Sequence, residues 1–191
     1  FFSEAFNLPE VRVGMILLIT ALITYFNWIG IKNTAKVSNI LTVAKLFPLL
    51  VFIIVGLFFI DFENLKGGPV PSLNDFSAAS LLLIFAFGGF EAGLVNSGEI
   101  VNPKKNLPFG LITAAAVIAG IYILIQVVSI GTLPDLASSD KPLADAATGF
   151  MGWWGGVFIT IGAVISILGT LNVQILSGSR LPFALSEEDQ L

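Results

Sequence analysis

Cysteine and histidine are both missing from the 191 residues. Their absence excludes a disulfide framework, a Cys/His zinc site, a thiol nucleophile and a His-based triad. Charge is the next shortage: 12% of residues are charged, where a soluble domain carries about a quarter. The net charge of −4 and the lack of a basic patch argue against a nucleic-acid partner. No metal-ligand cluster, nucleophile constellation or cofactor motif is present, so neither a metal nor a cofactor is expected. No basic stretch precedes an apolar one at the first residues, so no signal peptide is read. The closing Glu187-Glu188-Asp189-Gln190-Leu191 has the composition of a loop. The expectation is an internal piece of a longer chain.

What is abundant is apolar. Hydrophobic residues make up 55% of the chain. A soluble core of that much Phe, Leu, Ile and Val would leave too little polar surface to cover it, whereas lipid solvates an apolar exterior. A spanning helix needs about 20 apolar residues to cross roughly 30 Å. Five segments meet that requirement: about Val11 to Trp28; about Ala35 to Ile60, interrupted by Lys45 and Pro48; Phe76 to about Glu99, containing Gly88, Gly89 and Glu91; about Leu107 to Leu133, with Gln126 its strongly polar side chain; and about Trp153 to Ser177. Polar connectors separate them at 30–34, at 61–75 with a Gly67-Gly68-Pro69 turn signal, at 102–106 and at 134–151. Pro142 to Ala147 within the last connector fits a short surface helix. The expected fold is all-α: one polytopic integral membrane domain over 1–191 with five transmembrane helices, one of them discontinuous.

Five spans alternate sides, so one choice fixes every loop. Lys32, Lys36, Lys104, Lys105 and Arg180 fall on one side; Arg12, Lys66 and Lys141 fall on the other, with most of the acids. The first side is richer in basic residues on short loops and is expected to be cytoplasmic. Trp28, Trp153 and Trp154 stand near span ends, where amphipathic rings favour the membrane interface.

Ionisable and glycine-rich positions inside the spans are the functional candidates. Gly88 and Gly89 weaken the third span by about 1 kcal/mol each relative to Ala. Backbone freed there must find partners other than lipid, and broken helices near the midplane are where many secondary transporters bind substrate. Phe85, Phe87 and Phe90 surround the break as an apolar wall. Close helix packing through small residues is the competing account of the two glycines. Glu91, halfway along the span, must face the protein interior; it fits a proton carrier or gate, or else a hydrogen-bond anchor to a neighbouring helix. Lys45, ten residues into the second span, can place a fixed ammonium where a coupling cation would sit, or snorkel to the interface. Ser166 and Thr170, one turn apart, suit either a cation or a backbone hydrogen bond.

Phe87-Gly88-Gly89-Phe90-Glu91, then Gly98-Glu99, then Asn102-Pro103-Lys104-Lys105-Asn106-Leu107-Pro108 together resemble the signature of the amino acid–polyamine–organocation (APC) transporter superfamily. Asn27-Trp28-Ile29-Gly30-Ile31-Lys32, Thr42-Val43-Ala44-Lys45 and Ser177-Gly178-Ser179-Arg180 agree with it in order. The resemblance covers essentially the whole chain and implies family helices four to eight of a fold with two inverted five-helix repeats. It implies a substrate site shared between the break in this piece and a break in the first family helix. It implies that Phe85 packs on substrate, that Glu91 handles gating or protons, that Lys45 fills the space of a sodium ion, and that Ser166 neighbours a possible cation site. Gln190, where a small residue is common, departs from the pattern and leaves the role of that loop open.

The function so implied is a secondary amino acid or polyamine permease of the plasma membrane. It would work by alternating access with proton-coupled symport or exchange, with the amino acid or amine, protons and membrane lipid as its partners. Two other classes remain beside it: an integral membrane enzyme using Glu91 and Lys45 as acid and base, and a channel or transporter-like sensor.

Overall fold

The computed structural model of the chain describes residues 8–28, 31–67, 71–90, 94 and 100–187. Among these, all regular structure is helical: α1 (Pro9–Trp28), α2 (Ile31–Gly56), α3 (Leu73–Ala86), α4 (Pro103–Thr132), α5 (Pro142–Met151) and α6 (Trp153–Glu187). Two 3-10 turns, Leu57–Phe59 and Leu136–Ser138, follow α2 and α4. Among the described residues, three stretches are long and apolar enough to cross a membrane: Lys36–Phe59, Pro103–Thr132 and Trp153–Ile175. The all-helical class expected from composition is the one observed, with three of the five expected spans long and apolar enough among the described residues and the third present as the shorter apolar helix α3.

The helix starts differ from the expected ones. Pro103 to Asn106 form the first turn of α4 instead of a connector, and Ile31 to Thr34 do the same in α2. In α4 the cause is Asn102, which takes left-handed backbone angles (φ 51°) and is followed by Pro at the first helical position. Asn is among the few side chains that tolerate that conformation, and Pro suits N1 because its missing N–H has no intrahelical partner there. The amides of Lys105 and Asn106 then donate to the Asn102 carbonyl at 3.1 and 3.0 Å. Lys104 and Lys105 oppose the helix dipole in this turn, which is why the segment reads as a loop by composition. The predicted short helix at Pro142 is present and longer than expected, and one residue, Gly152, separates it from α6.

Helix α3 starts at a capping box. The Ser72 hydroxyl accepts from the Asp75 amide, and the Asp75 carboxylate accepts from the Ser72 amide and hydroxyl. The Ser72 side chain first, and its backbone N–H second, hold the Asp75 carboxyl below its ordinary pKa. A carboxyl lowered on folding stabilises the fold above its unfolded pKa of about 3.9, and that support is lost as pH falls through the lowered value. The first turn of α3 is therefore expected to fray in acid. Hydrogen exchange of its amides should rise below about pH 4 in the unmutated chain, and Asp75→Asn should show the same raised exchange at every pH.

The chain divides into two compact units, Phe1–Val43 with Ser166–Leu191, and Ala44–Ile165. The first unit holds α1, the start of α2 and the second half of α6. Within it Leu41 approaches the backbone at Gly169, and Ile23 and Asn172 are buried.

The second unit holds the rest, and its core lies where the ends of α2 and α4 meet α5 and the start of α6. Phe52, Ile53, Val128, Ala146, Ala147 and Ile159 are buried together. The Phe150 ring lies 5.4 Å from that of Phe52 and stacks on Phe59 at 5.8 Å. The loop after α2 is tied to α4 through one carbonyl: Gly131 accepts from the Asp61 amide at 2.9 Å and from Asn64 Nδ2 at 3.2 Å. Farther along, α2 continues unbroken through Pro48, which is buried.

Close approach of helix backbones, not hydrophobic transfer, drives association between helices surrounded by lipid. Gly56 shows it: a Cβ there would stand 2.3 Å from Val128 Cγ1 and 3.1 Å from the Phe150 ring. Val128 is β-branched and fully buried, so it has one strongly preferred rotamer and no room to yield. Gly56→Ala is expected to cost about 1–3 kcal/mol by overpacking, read as a lower unfolding midpoint of the purified protein in detergent.

Candidate functional site: the interrupted end of α3

Helix α3 stops after Ala86, and Phe87 to Phe90 form a turn. The described part of the third span therefore ends as a helix just before the predicted glycines. The Phe87 amide still donates to the Leu83 carbonyl at 3.1 Å, a last α-type bond. The Gly88 amide donates back to Phe85, also at 3.1 Å, a tighter 3-10-type bond. Gly89 then takes φ 106°, a region that side chains with a Cβ rarely enter. The chain leaves the helix axis at this residue.

Four helix carbonyls lack intrahelical partners at any C-terminus. Here the carbonyl of Ala86 is capped from another helix: the Tyr122 hydroxyl of α4 donates to it at 3.3 Å. The Tyr122 ring also meets Phe87 edge-on, with centroids 5.6 Å apart and planes at 71°. Both contacts come from one side chain 36 positions down the sequence from Ala86. Sequence reasoning singled out Gln126, one turn farther along, and passed over Tyr122 because a tyrosine in an apolar run reads as packing.

The other predicted site residues fall as follows. Phe85 and Phe90 are exposed, at 83% and 61%, while Phe87 is reduced to 37% by its contact with Tyr122. The turn thus gathers Phe85, Phe87, Gly88, Gly89 and Phe90 in one place, with the Phe87 ring against Tyr122 and the other two rings exposed. Glu91, Gly98 and Glu99 lie outside the described residues, and so do the side chains of Lys32 and Arg180. Lys45 is half-buried on α2, nine residues into the apolar stretch that starts at Lys36, or about 14 Å at 1.5 Å per residue. The ion pair present among the described residues joins Lys66 to Glu63 and leaves Lys45 out. Ser166 is half-buried on α6, and its carbonyl accepts from the Thr170 hydroxyl at 3.0 Å. Of the two uses open to that pair, the backbone hydrogen bond is therefore the one Thr170 makes.

Chemically the turn offers backbone carbonyls, flexible backbone and apolar rings. Among the described residues no group of His, Cys, Asp or Glu is placed to hold a metal ion. Among the described residues, three apolar helices of spanning length and a shorter apolar helix that ends in a glycine turn define an integral membrane chain.

The amino acid permease family model matches residues 1–191, the full chain, and the chain belongs to that family. It is 31% identical over 191 residues to the methylthioribose transporter of Bacillus subtilis, covering 99% of this chain and 40% of that one. It is 29% identical to the branched-chain amino acid permease BcaP of the same organism, over 96% of this chain and 38% of the relative. It is 33% identical to the serine/threonine exchanger SteT of the same organism, over 86% of this chain and 39% of the relative. All three carry the names of transporters, not enzymes. The chain spans about two fifths of the length of the relatives it matches.

Proposed function

We propose that this chain is the central part of a secondary active transporter that moves amino acids or related amines across a membrane by alternating access. The observation that carries the reading is the end of α3. A helix inside an apolar segment stops at Ala86, turns at a glycine with φ 106° and leaves Phe85 and Phe90 open. Backbone that leaves the helix ladder at membrane depth must be satisfied by protein, water or a ligand, and half-helix C-termini suit the ammonium end of an amino acid or amine. Phe85, Phe87, Gly88, Gly89 and Phe90 form this chain's share of the substrate site.

Lys45 and Glu91 are assigned to coupling and gating, with Ser166 as neighbour of a cation site. Lys45 supplies a resident positive charge in place of a sodium ion, so the coupling is to protons or to exchange. The basic helix starts at Lys32, Lys36, Lys104 and Lys105, together with Arg180, face the cytoplasm of a plasma-membrane protein that forms a single domain over this region.

The test is uptake by the intact permease in proteoliposomes over a panel of amino acids and polyamines, at two pH values and with and without sodium. Saturable, counterflow-competent uptake is expected. Product formation without movement of substrate would favour an enzyme, and non-saturable flux a channel. Because the methylthioribose transporter matches over nearly the whole chain, that thio-sugar belongs in the panel as a second substrate class. Glu91→Gln is expected to flatten the pH dependence of uptake without removing it. An identical pH profile would leave Glu91 a structural residue.

A further inference from the structure

We infer that Tyr122 is a positioning residue for the interrupted helix, a cap supplied by α4 that fixes where α3 stops and how Phe87 is held. The effect on transport rests on the function proposed above; the capping itself does not. Within the last turn, the Leu83 and Phe85 carbonyls are taken by the amides of Phe87 and Gly88, so the turn satisfies them itself. Ala86 is the last helical residue, and its carbonyl is taken by the Tyr122 hydroxyl, 36 positions away. The same side chain sets its ring against Phe87, which is the C-cap residue of α3. Tyr122 therefore grips the helix end at two consecutive residues, one through a carbonyl and one through a ring. Next in the chain come Gly88 and Gly89, where the backbone has least resistance to rearrangement. A cap on the rigid side of two glycines confines motion to the residues after it. It also takes the Ala86 carbonyl out of competition for a cationic ligand. α4 is continuous for 30 residues, and Tyr122 ties it to the end of α3.

Tyr122→Phe removes the hydroxyl and keeps the ring; Tyr122→Leu removes both. In the intact permease in nanodiscs, hydrogen exchange of the Phe87 and Gly88 amides is expected to rise about fivefold in Tyr122→Phe, as loss of one hydrogen bond implies, and further in Tyr122→Leu, with exchange in α1 unchanged. In proteoliposomes the KM should rise by a similar factor while the maximal rate stays within about twofold. Unchanged exchange at Phe87 and Gly88 in both variants overturns the cap. Exchange raised throughout the protein overturns it too, because that is general destabilisation. Raised local exchange with an unchanged KM overturns the positioning role. Raised local exchange in a permease that moves nothing even unmutated supports the cap and places the failure in the transport reading.

Discussion

Lys45→Ala is expected to abolish uptake while the protein still inserts and purifies as a monodisperse species. The charge sits about 14 Å into an apolar stretch of α2, beyond easy reach of the interface. Holding a cation at such a depth costs about 2.5–3.5 kcal/mol on insertion scales, so a chain that keeps one there gains something from it. On the proposed reading a fixed ammonium stands where a coupling cation would bind, and Lys45→Ala removes that charge. Losing an interaction of that size corresponds to a fall on the order of 100-fold in uptake. Lys45→Arg tests the geometry, since the planar guanidinium keeps the charge but cannot occupy a compact cation's place. Its uptake should also fall, though less. The measurement is initial-rate uptake per inserted molecule. Unmutated rates in Lys45→Ala would remove Lys45 from the coupling machinery and leave it a snorkelling lysine, whose loss ought to make α2 easier to insert.

Much of the fold was legible because membrane helices announce themselves by composition. Residues 11–28, 107–132 and 153–177 carry few charges, and each falls inside a helix at nearly the expected place. What composition misjudged were the helix starts. Lys32, Lys104 and Lys105 occupy first turns where their charge opposes the dipole, and nothing local in a lysine pair says that Asn102 will turn left-handed to admit them. The start of α3 was readable and was passed over. Ser72-Leu73-Asn74-Asp75 has the spacing of a capping box, although by composition Asp75 reads as the end of a polar loop.

The candidate site divides in the same way. Gly88 and Gly89 pointed to a break because glycine is costly in a helix whatever surrounds it, and α3 ends just before them. Tyr122 carried no local signal, since its role depends on Ala86 and Phe87, more than thirty positions away, lying beside it in the fold. A hydroxyl that satisfies a distant backbone carbonyl is a tertiary fact. Thr170 is the opposite case: its partner, the Ser166 carbonyl, lies one turn back on the same helix, so the backbone alternative could be foreseen.

The two glycines are not equivalent, and separating them tests the site most directly. Gly89 has φ 106°, where a Cβ is strained whatever space surrounds it, and among the described residues no atom beyond its chain neighbours lies within 4 Å of the position a Cβ would take. Its requirement is conformational. At Gly88 the backbone is unremarkable, and an added Cβ would stand 3.1 Å from the Phe85 carbonyl oxygen, a tight contact that a shift of a few tenths of an ångström relieves. Gly89→Ala must therefore either hold about 1–3 kcal/mol of backbone strain or straighten the turn and move Phe90 away from Phe85 and Phe87. Either outcome is expected to reduce uptake at least about tenfold, whereas Gly88→Ala should lose no more than a few-fold. Gly14→Ala is the control: Gly14 lies within α1 with open space around it, and alanine there should leave uptake unchanged and stabilise the helix by about 0.5–1 kcal/mol. Were Gly89→Ala to transport like the unmutated protein while Gly88→Ala failed, close packing and not the turn would be the reason both glycines are present, and the substrate site would have to be sought elsewhere.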